Sequence, residues 1–503
     1  MHLVSSRLST LLAIALTSSL ATADVTLPNV FGNSMVLQRD HQNPVWGKAA
    51  PGEQVTVVVD AQKHSTAADD KGNWRVVLEP MSVGTPKELV VTGKNEVRFT
   101  DVLIGEVWIC SGQSNMQWSV SSSNNFDLEV HAANYPAIRM INFPQVGVQE
   151  PIWSHDRSHW MVCSPETVGN FSAVGYFFAR QLNQTLNVPI GMINNAWGGS
   201  ACEAWIERDQ LASDPQYAPM MERWSKMEAN YEALSTKKEL DEEDKKAMAG
   251  LKQQMTGNHR PANIYNGVLS SHIGYGIRGA IWYQGESNAG RAYQYRELFP
   301  LMISNWREKW GQGDFPFYWV QLADFKAEQP EPAGSDWAEL REAQTMTMAK
   351  LAKTGQAVIV DIGEGYDIHP RNKVDVGMRL ARWALANDYG IKLPFRSPEY
   401  KSMEVAGDKV VLTFDHVGRG WRPFDVNEPI GFAVAAEDKK FVWAKAKILP
   451  DGRIEVSAES VPAPASVRYG WADNPVCNLY SRDDLPLTPF RTDTWPGVTA
   501  EAK

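Results

Sequence analysis

Ser114 sits in Gly112-Gln113-Ser114-Asn115-Met116, directly after the apolar run from Val102 to Cys110. A serine hydroxyl on a tight turn beyond a buried strand is held on a rigid base at the open end of a sheet, where catalytic groups of α/β folds collect. It is a candidate nucleophile; the competing reading is a helix cap, a common place for Ser and Asn. Two further segments favour the first. Ile281-Trp282-Tyr283-Gln284-Gly285-Glu286-Ser287-Asn288 reads as a strand running into small and polar residues. Asp361-Ile362-Gly363-Glu364-Gly365-Tyr366-Asp367-Ile368-His369-Pro370 reads as a strand end carrying acids and one histidine. Together they supply a nucleophile, amide donors, a base and an acid to orient it, which is the set that acyl transfer needs.

A free hydroxyl is barely nucleophilic near neutral pH, so Ser114 requires a base. Of ten histidines, His369 alone lies at an expected strand end among acids. It would take the proton of Ser114 and return it to the leaving alcohol. Residues i and i+2 of an extended segment point to one side, so Asp367 can meet His369; Glu364 and Asp361 are the alternatives. The oxyanion of a tetrahedral intermediate needs fixed donors. The backbone N–H of Ser114 is one candidate. Asn195-Ala196-Trp197-Gly198-Gly199 offers another, where a missing Cβ admits close approach, or else forms a plain turn. A side-chain amide, Gln284 or Asn288, would be the third. Glu286 is expected to order its loop rather than to do chemistry. Trp118 and Trp197 flank these segments and are expected to shape an acyl or sugar pocket, while most of the 19 tryptophans belong to the core. No glycine-rich phosphate loop or His-rich metal spacing occurs, so neither a cofactor nor a metal is expected.

These segments, with the Asn195–Gly199 block, resemble the sialate O-acetylesterase family within the SGNH-type hydrolases. The runs Gly470-Trp471-Ala472-Asp473-Asn474-Pro475 and Pro489-Phe490-Arg491-Thr492-Asp493 are similar to that family's ending. The resemblance implies a serine esterase that removes O-acetyl groups from an acetylated sugar through an acetyl-serine intermediate. It implies Asp367, in the Asp-Ile-His-Pro run, as the orienting acid, and Gly199 as the second oxyanion donor. One departure stands out: the wider superfamily places its acid three residues before the histidine, where this chain has Tyr366. An acetylesterase for plant-type polysaccharide such as xylan is the alternative within the class, and a non-catalytic glycan-binding protein the alternative outside it. Arg side chains near Ser114 would favour a sialate carboxylate by bidentate pairing.

The elements that must position these groups follow from the pattern of the chain. Its 503 residues exceed one ordinary core. In residues 1–23 Arg7 precedes an apolar stretch and Ala21-Thr22-Ala23 precedes Asp24, which reads as a secretory signal peptide. No later segment approaches the roughly 18 apolar residues of a membrane span. A secreted or periplasmic protein is therefore expected. The net charge of −10 argues against nucleic acid as a partner, because phosphate binding needs a basic surface. Four cysteines in an oxidising compartment lead us to expect at least one disulfide. Residues 24–100 show short β-type runs broken by turns and predict a small β-sandwich. From 101 to 394 strands at 102–110, 188–196, 277–284, 315–322 and 355–362 alternate with helices at 173–186, 292–310, 336–352 and 372–388. This predicts a parallel sheet flanked by helices, for which the resemblance implies an SGNH-hydrolase-like, flavodoxin-like three-layer fold. Residues 213–256 read as a charged helical insertion with a solvated face, and 395–503 as a second β region.

Overall fold

In the computed structural model, residues 24–502 are described; the expected signal peptide lies outside them. Strand Glu96–Gly112 organises the chain. From Glu96 to Asp101 its residues alternate between exposed and half-buried, and from Val102 onward every one is buried. The alternation suits a sheet wetted on one face, the continuous burial a sheet covered on both. Accordingly Val97–Phe99 pair antiparallel with Leu89–Val91, whereas Glu106–Cys110 pair parallel with Ile190–Asn194 and Trp108–Gly112 parallel with Gly279–Tyr283. The partition expected at residue 100 falls inside this one strand.

The central sheet runs, in spatial order, Thr354–Ala357, Phe317–Val320, Gly279–Tyr283, Glu96–Gly112, Ile190–Asn194, Tyr135–Asn142 and Met161–Cys163. Every neighbouring pair is parallel except the last, which is antiparallel, so the sheet is mixed. Strand periodicity sorts its side chains to two sides. Ala280, Trp282, Phe317 and Trp319 pack with Phe299 and Trp306 of helix Ala292–Trp310 and with Leu340 of helix Asp336–Lys350. Ile281, Tyr283, Tyr318 and Val320 pack with Phe177 and Leu182 of helix Ala173–Leu186 and with Val376 and Leu380 of helix Lys373–Asn387.

Tyr135–Asn142 is a further strand, outside those the sequence pattern predicts. Pro136 and Arg139 break its apolar pattern, and Arg139 is accommodated, 5% exposed, by pairing with Asp101. The insertion forms helices Ala218–Ser235 and Glu242–Met255, the second opened by a capping box between Asp241 and Asp244. Additional β-sheets lie toward both ends of the chain, the later ones closing on Val410, Leu412, Phe432, Val434 and Val467. Fully buried Arg341 ties them to the central sheet, donating to the carbonyls of Leu322 and Ala323 on one side and of Ala472 and Asp473 on the other.

The expected disulfide does not form. Cys110, Cys163, Cys202 and Cys477 are free thiols. Cys110 and Cys202 belong to different hydrophobic cores, so they serve as small core residues. Burial pushes the Cys163 thiol up to about 12. No helix among the described residues is long and apolar enough to cross a membrane.

Candidate active site

The turn carrying Ser114 is fixed from three directions. Gly112 has φ +130°, and a Cβ there would meet the Tyr283 carbonyl oxygen at 2.2 Å, so the end of the central strand admits only glycine. Gln113 N–H donates to that same carbonyl at 2.9 Å. Ser172 Oγ donates to Met116 O at 2.6 Å while accepting from Gly175 N–H, which staples the turn to the start of helix Ala173–Leu186. The cap of the short helix Ser114–Gln117 is Gln113, so Ser114 is not a capping residue. Instead it is half-buried and opens into a cavity of about 660 Å³, lined also by Gln117, Trp118, Asn142, Phe143, Asn194 and His369.

His369 reaches this cavity from a loop and not from an extended strand end. Strand Thr354–Ala357 ends early, and the chain turns through Gly365-Tyr366, closed by Asp367 N–H donating to Glu364 O at 2.9 Å. The i, i+2 meeting nevertheless occurs. Asp367 Oδ1 accepts from His369 N–H at 2.8 Å and stands 3.5 Å from Nδ1. The alternatives are engaged elsewhere: Asp361 accepts two bonds from Arg379 at 2.6 and 2.7 Å and one from Tyr480, and Glu364 accepts from Arg371 N–H at 2.8 Å. Trp118 stacks on the imidazole with ring centroids 4.7 Å apart and planes 12° from parallel. Burial lowers the pKa of His369 more than the Asp367 charge raises it, and Lys373 adds to the lowering.

The amides of Gln284 and Asn288 do not face the cavity. Both are buried: Gln284 Nε2 donates to Ser200 O and to Asn288 Oδ1, Gln284 Oε1 accepts from Tyr295, and Asn288 Nδ2 donates to Glu203. These bonds hold the loop itself, so the geometry does not support the expected side-chain oxyanion donor at either position. Gln113 Oε1 receives the N–H groups of Gly285 and Ser287, which binds the same loop to the serine turn. In the glycine block a Cβ at Gly198 would lie 3.3 Å from Ser114 Cβ, and Gly198 N–H donates to Gln117. Gly199, at φ +72°, has its carbonyl held by Ser287 and His259. Trp118 lines the cavity as expected, whereas Trp197 packs against the hydrophobic core.

Two further amides, Asn142 and Asn194, stand in the cavity wall. Asn142 and Asn194 each end a parallel strand, lie opposite each other in register, and are joined by an Asn194 Nδ2 to Asn142 Oδ1 bond of 2.8 Å. Strands ending in Asn at the carboxyl edge were the available signal.

A family model described as carbohydrate esterase, sialic acid-specific acetylesterase, matches residues 104–237 and 245–385, together more than half of the chain. Sialate O-acetylesterase of Mus musculus is 29% identical over 540 residues, covering 95% of this chain and 96% of that protein. The Homo sapiens counterpart is 28% identical over 518 residues, covering 92% of each. Among solved structures, a carbohydrate acetylesterase from Xanthomonas citri superposes with a TM-score of 0.82 at 38% identity, covering 94% of this chain and 100% of that one.

Proposed function

We propose, from the premise that this chain belongs to the sialic acid-specific acetylesterase family of carbohydrate esterases and is a carboxylic ester hydrolase, that it removes O-acetyl groups from an acetylated sugar through an acetyl-Ser114 intermediate. The observation that carries this reading is the shared cavity: Ser114 and His369 line it together, with Asp367 on the Nδ1 side of the imidazole. Nε2 is thereby left to serve Ser114. In the first step His369 Nε2 takes the hydroxyl proton while Ser114 Oγ bonds to the acetyl carbonyl carbon. The backbone N–H groups of Ser114 and Gly199 are the proposed donors to the resulting oxyanion. Collapse expels the sugar oxygen, which recovers the proton from His369. Water, deprotonated by the same imidazole, then attacks the acetyl carbonyl carbon; the bond to Ser114 Oγ breaks, the imidazolium returns the proton to Oγ, and acetate leaves.

Helices on both faces of a largely parallel sheet support an SGNH-type, flavodoxin-like core. For the substrate, amides of Gln117, Asn142, Gln145 and Asn194 beside Trp118 and Phe143 suit the hydroxyls and apolar surface of a sugar. No Arg or Lys lines the cavity among the described residues, which favours a neutral acetylated sugar, as in plant-type polysaccharide. The names of the mammalian relatives favour acetylated sialic acid as the second reading. Acetate release from acetylated xylan-type oligosaccharides and from O-acetyl sialic acids, measured side by side, decides between them; release from neither refutes the proposal. Export is proposed from residues 1–23, and a mature N-terminus other than Asp24 in exported protein would refute it.

A further inference from the structure

Asn115, next to Ser114 and only 1% exposed, joins three segments through one amide. Its Nδ2 donates to Ile368 O at 2.9 Å and to Glu286 Oε1 at 2.7 Å, and its Oδ1 accepts from Lys373 Nζ at 2.6 Å. Ile368 immediately precedes His369, Glu286 belongs to the loop after Gly279–Tyr283, and Lys373 opens helix Lys373–Asn387. The amide thus lies between an ammonium and a carboxylate with its oxygen toward the cation and its N–H toward the anion, the orientation that favours both charges.

Lys373 is fully buried, and its ammonium stands 5.2 Å from the centroid of the Tyr283 ring. Its hydrogen-bond partner is an amide oxygen, not a carboxylate. Glu286 Oε2 is buried without a partner. Burying such groups costs stability that apolar residues of the same volume would not lose. Both groups bond to Asn115, the residue after the proposed nucleophile, and Lys373 lies four residues after the proposed base, which points to the reaction.

We propose that Asn115 and Lys373 are positioning residues for the esterase reaction: Asn115 sets the Ile368–His369 backbone against the Ser114 turn, and Lys373 holds that amide by its oxygen while carrying a charge into the helix turn that follows His369. The inference rests on His369 being the general base. Asp367 and Trp118 stand against the imidazole, the first favouring the imidazolium and the second offering an uncharged ring, while the Lys373 charge, held on Asn115, opposes protonation from beyond them. Around Lys373, burial acts against the charge of Glu286, Glu364 and Asp367 and leaves it at about 7. Lys373 is therefore cationic below neutrality, where His369 would otherwise bind a proton and stop acting as a base.

The test is the pH profile of kcat/KM with p-nitrophenyl acetate for the full chain, Lys373→Met and Lys373→Arg. Lys373→Met should move the acid limb upward by about half a pH unit or more, and Lys373→Arg, which keeps the charge, should move it less. An acid limb of Lys373→Met superimposed on the parent's overturns the inference. Should Lys373→Met fail to fold, NMR titration of the parent decides: His369 and Lys373 signals that share inflections support the coupling, and independent single-site curves overturn it. Ser114→Ala is assayed alongside. Activity in Ser114→Ala refutes the esterase reading itself, whereas an inactive Ser114→Ala with an unshifted Lys373→Met refutes this inference alone.

Discussion

Asp367→Asn isolates the charge of the proposed triad acid. Asparagine keeps an Oδ1 to accept from His369 N–H, the 2.8 Å bond that shapes the loop, so the backbone should stay in place. What is lost is a negative charge 3.5 Å from Nδ1. At that separation the attraction to a developing imidazolium is about 1 kcal/mol in water's dielectric and about 5 kcal/mol at an effective dielectric of 20. The Asp367 side chain is 50% exposed and that of His369 27%, so solvent screens the pair and an intermediate value of about 2–3 kcal/mol applies. That corresponds to roughly 10²-fold in turnover, less than the ~10⁴ of a fully buried triad acid. The assay is kcat on p-nitrophenyl acetate, with circular dichroism to verify the fold. A folded Asp367→Asn within threefold of the parent, or Glu364→Gln as the more damaging change, would refute the assignment. Asp361 behaves differently, because it and Arg379 form a buried pair with side chains 5% and 11% exposed. Asp361→Ala should cost about 3–5 kcal/mol of stability, read as a lowered Tm.

His369 must be neutral to act as a base, and burial holds its pKa below the ordinary 6.5. A lowered value keeps the base neutral to lower pH, so the acid limb of kcat/KM should inflect below 6.5; an inflection above it contradicts the reading. Gln284→Ala should lower Tm, at a cost of about 1–3 kcal/mol as Ser200, Asn288 and Tyr295 lose their partner, while kcat of the folded enzyme stays within tenfold; a loss of several hundredfold in a fully folded variant would restore Gln284 as an oxyanion donor. All four cysteines should titrate in denaturant without reductant, and fewer would show a disulfide.

The sequence made the alternation of strand and helix legible because buried parallel strands are continuous apolar runs and their covering helices keep one apolar stripe. Helix Ala173–Leu186 has the expected bounds, and Lys373–Asn387 lies within a residue of them. What hid Tyr135–Asn142 was a buried, paired Arg139, since a charge compensated by a distant Asp101 looks like an exposed one in sequence. That Ser114, Asp367 and His369 come together was legible because each stands among polar residues after an apolar run. Gln284 and Asn288 misled for the same reason: polar residues after a strand suggest a site, but their burial and their bonds to Ser200 and Glu203 depend on chain segments some 80 residues away. The network at Asn115 was invisible for a related cause. Lys373 reads as an ordinary first-turn residue until the fold removes it from water.

The central claim is a covalent acetyl group on Ser114. Intact mass and peptide mapping after rapid quenching of a reaction with excess acetylated substrate test it directly. The account predicts a transient gain of one acetyl group on the peptide carrying Ser114, absent in Ser114→Ala, which should also lose nearly all turnover. Ser114→Ala turning over within tenfold of the parent, or an acetyl group trapped on another residue, would contradict it.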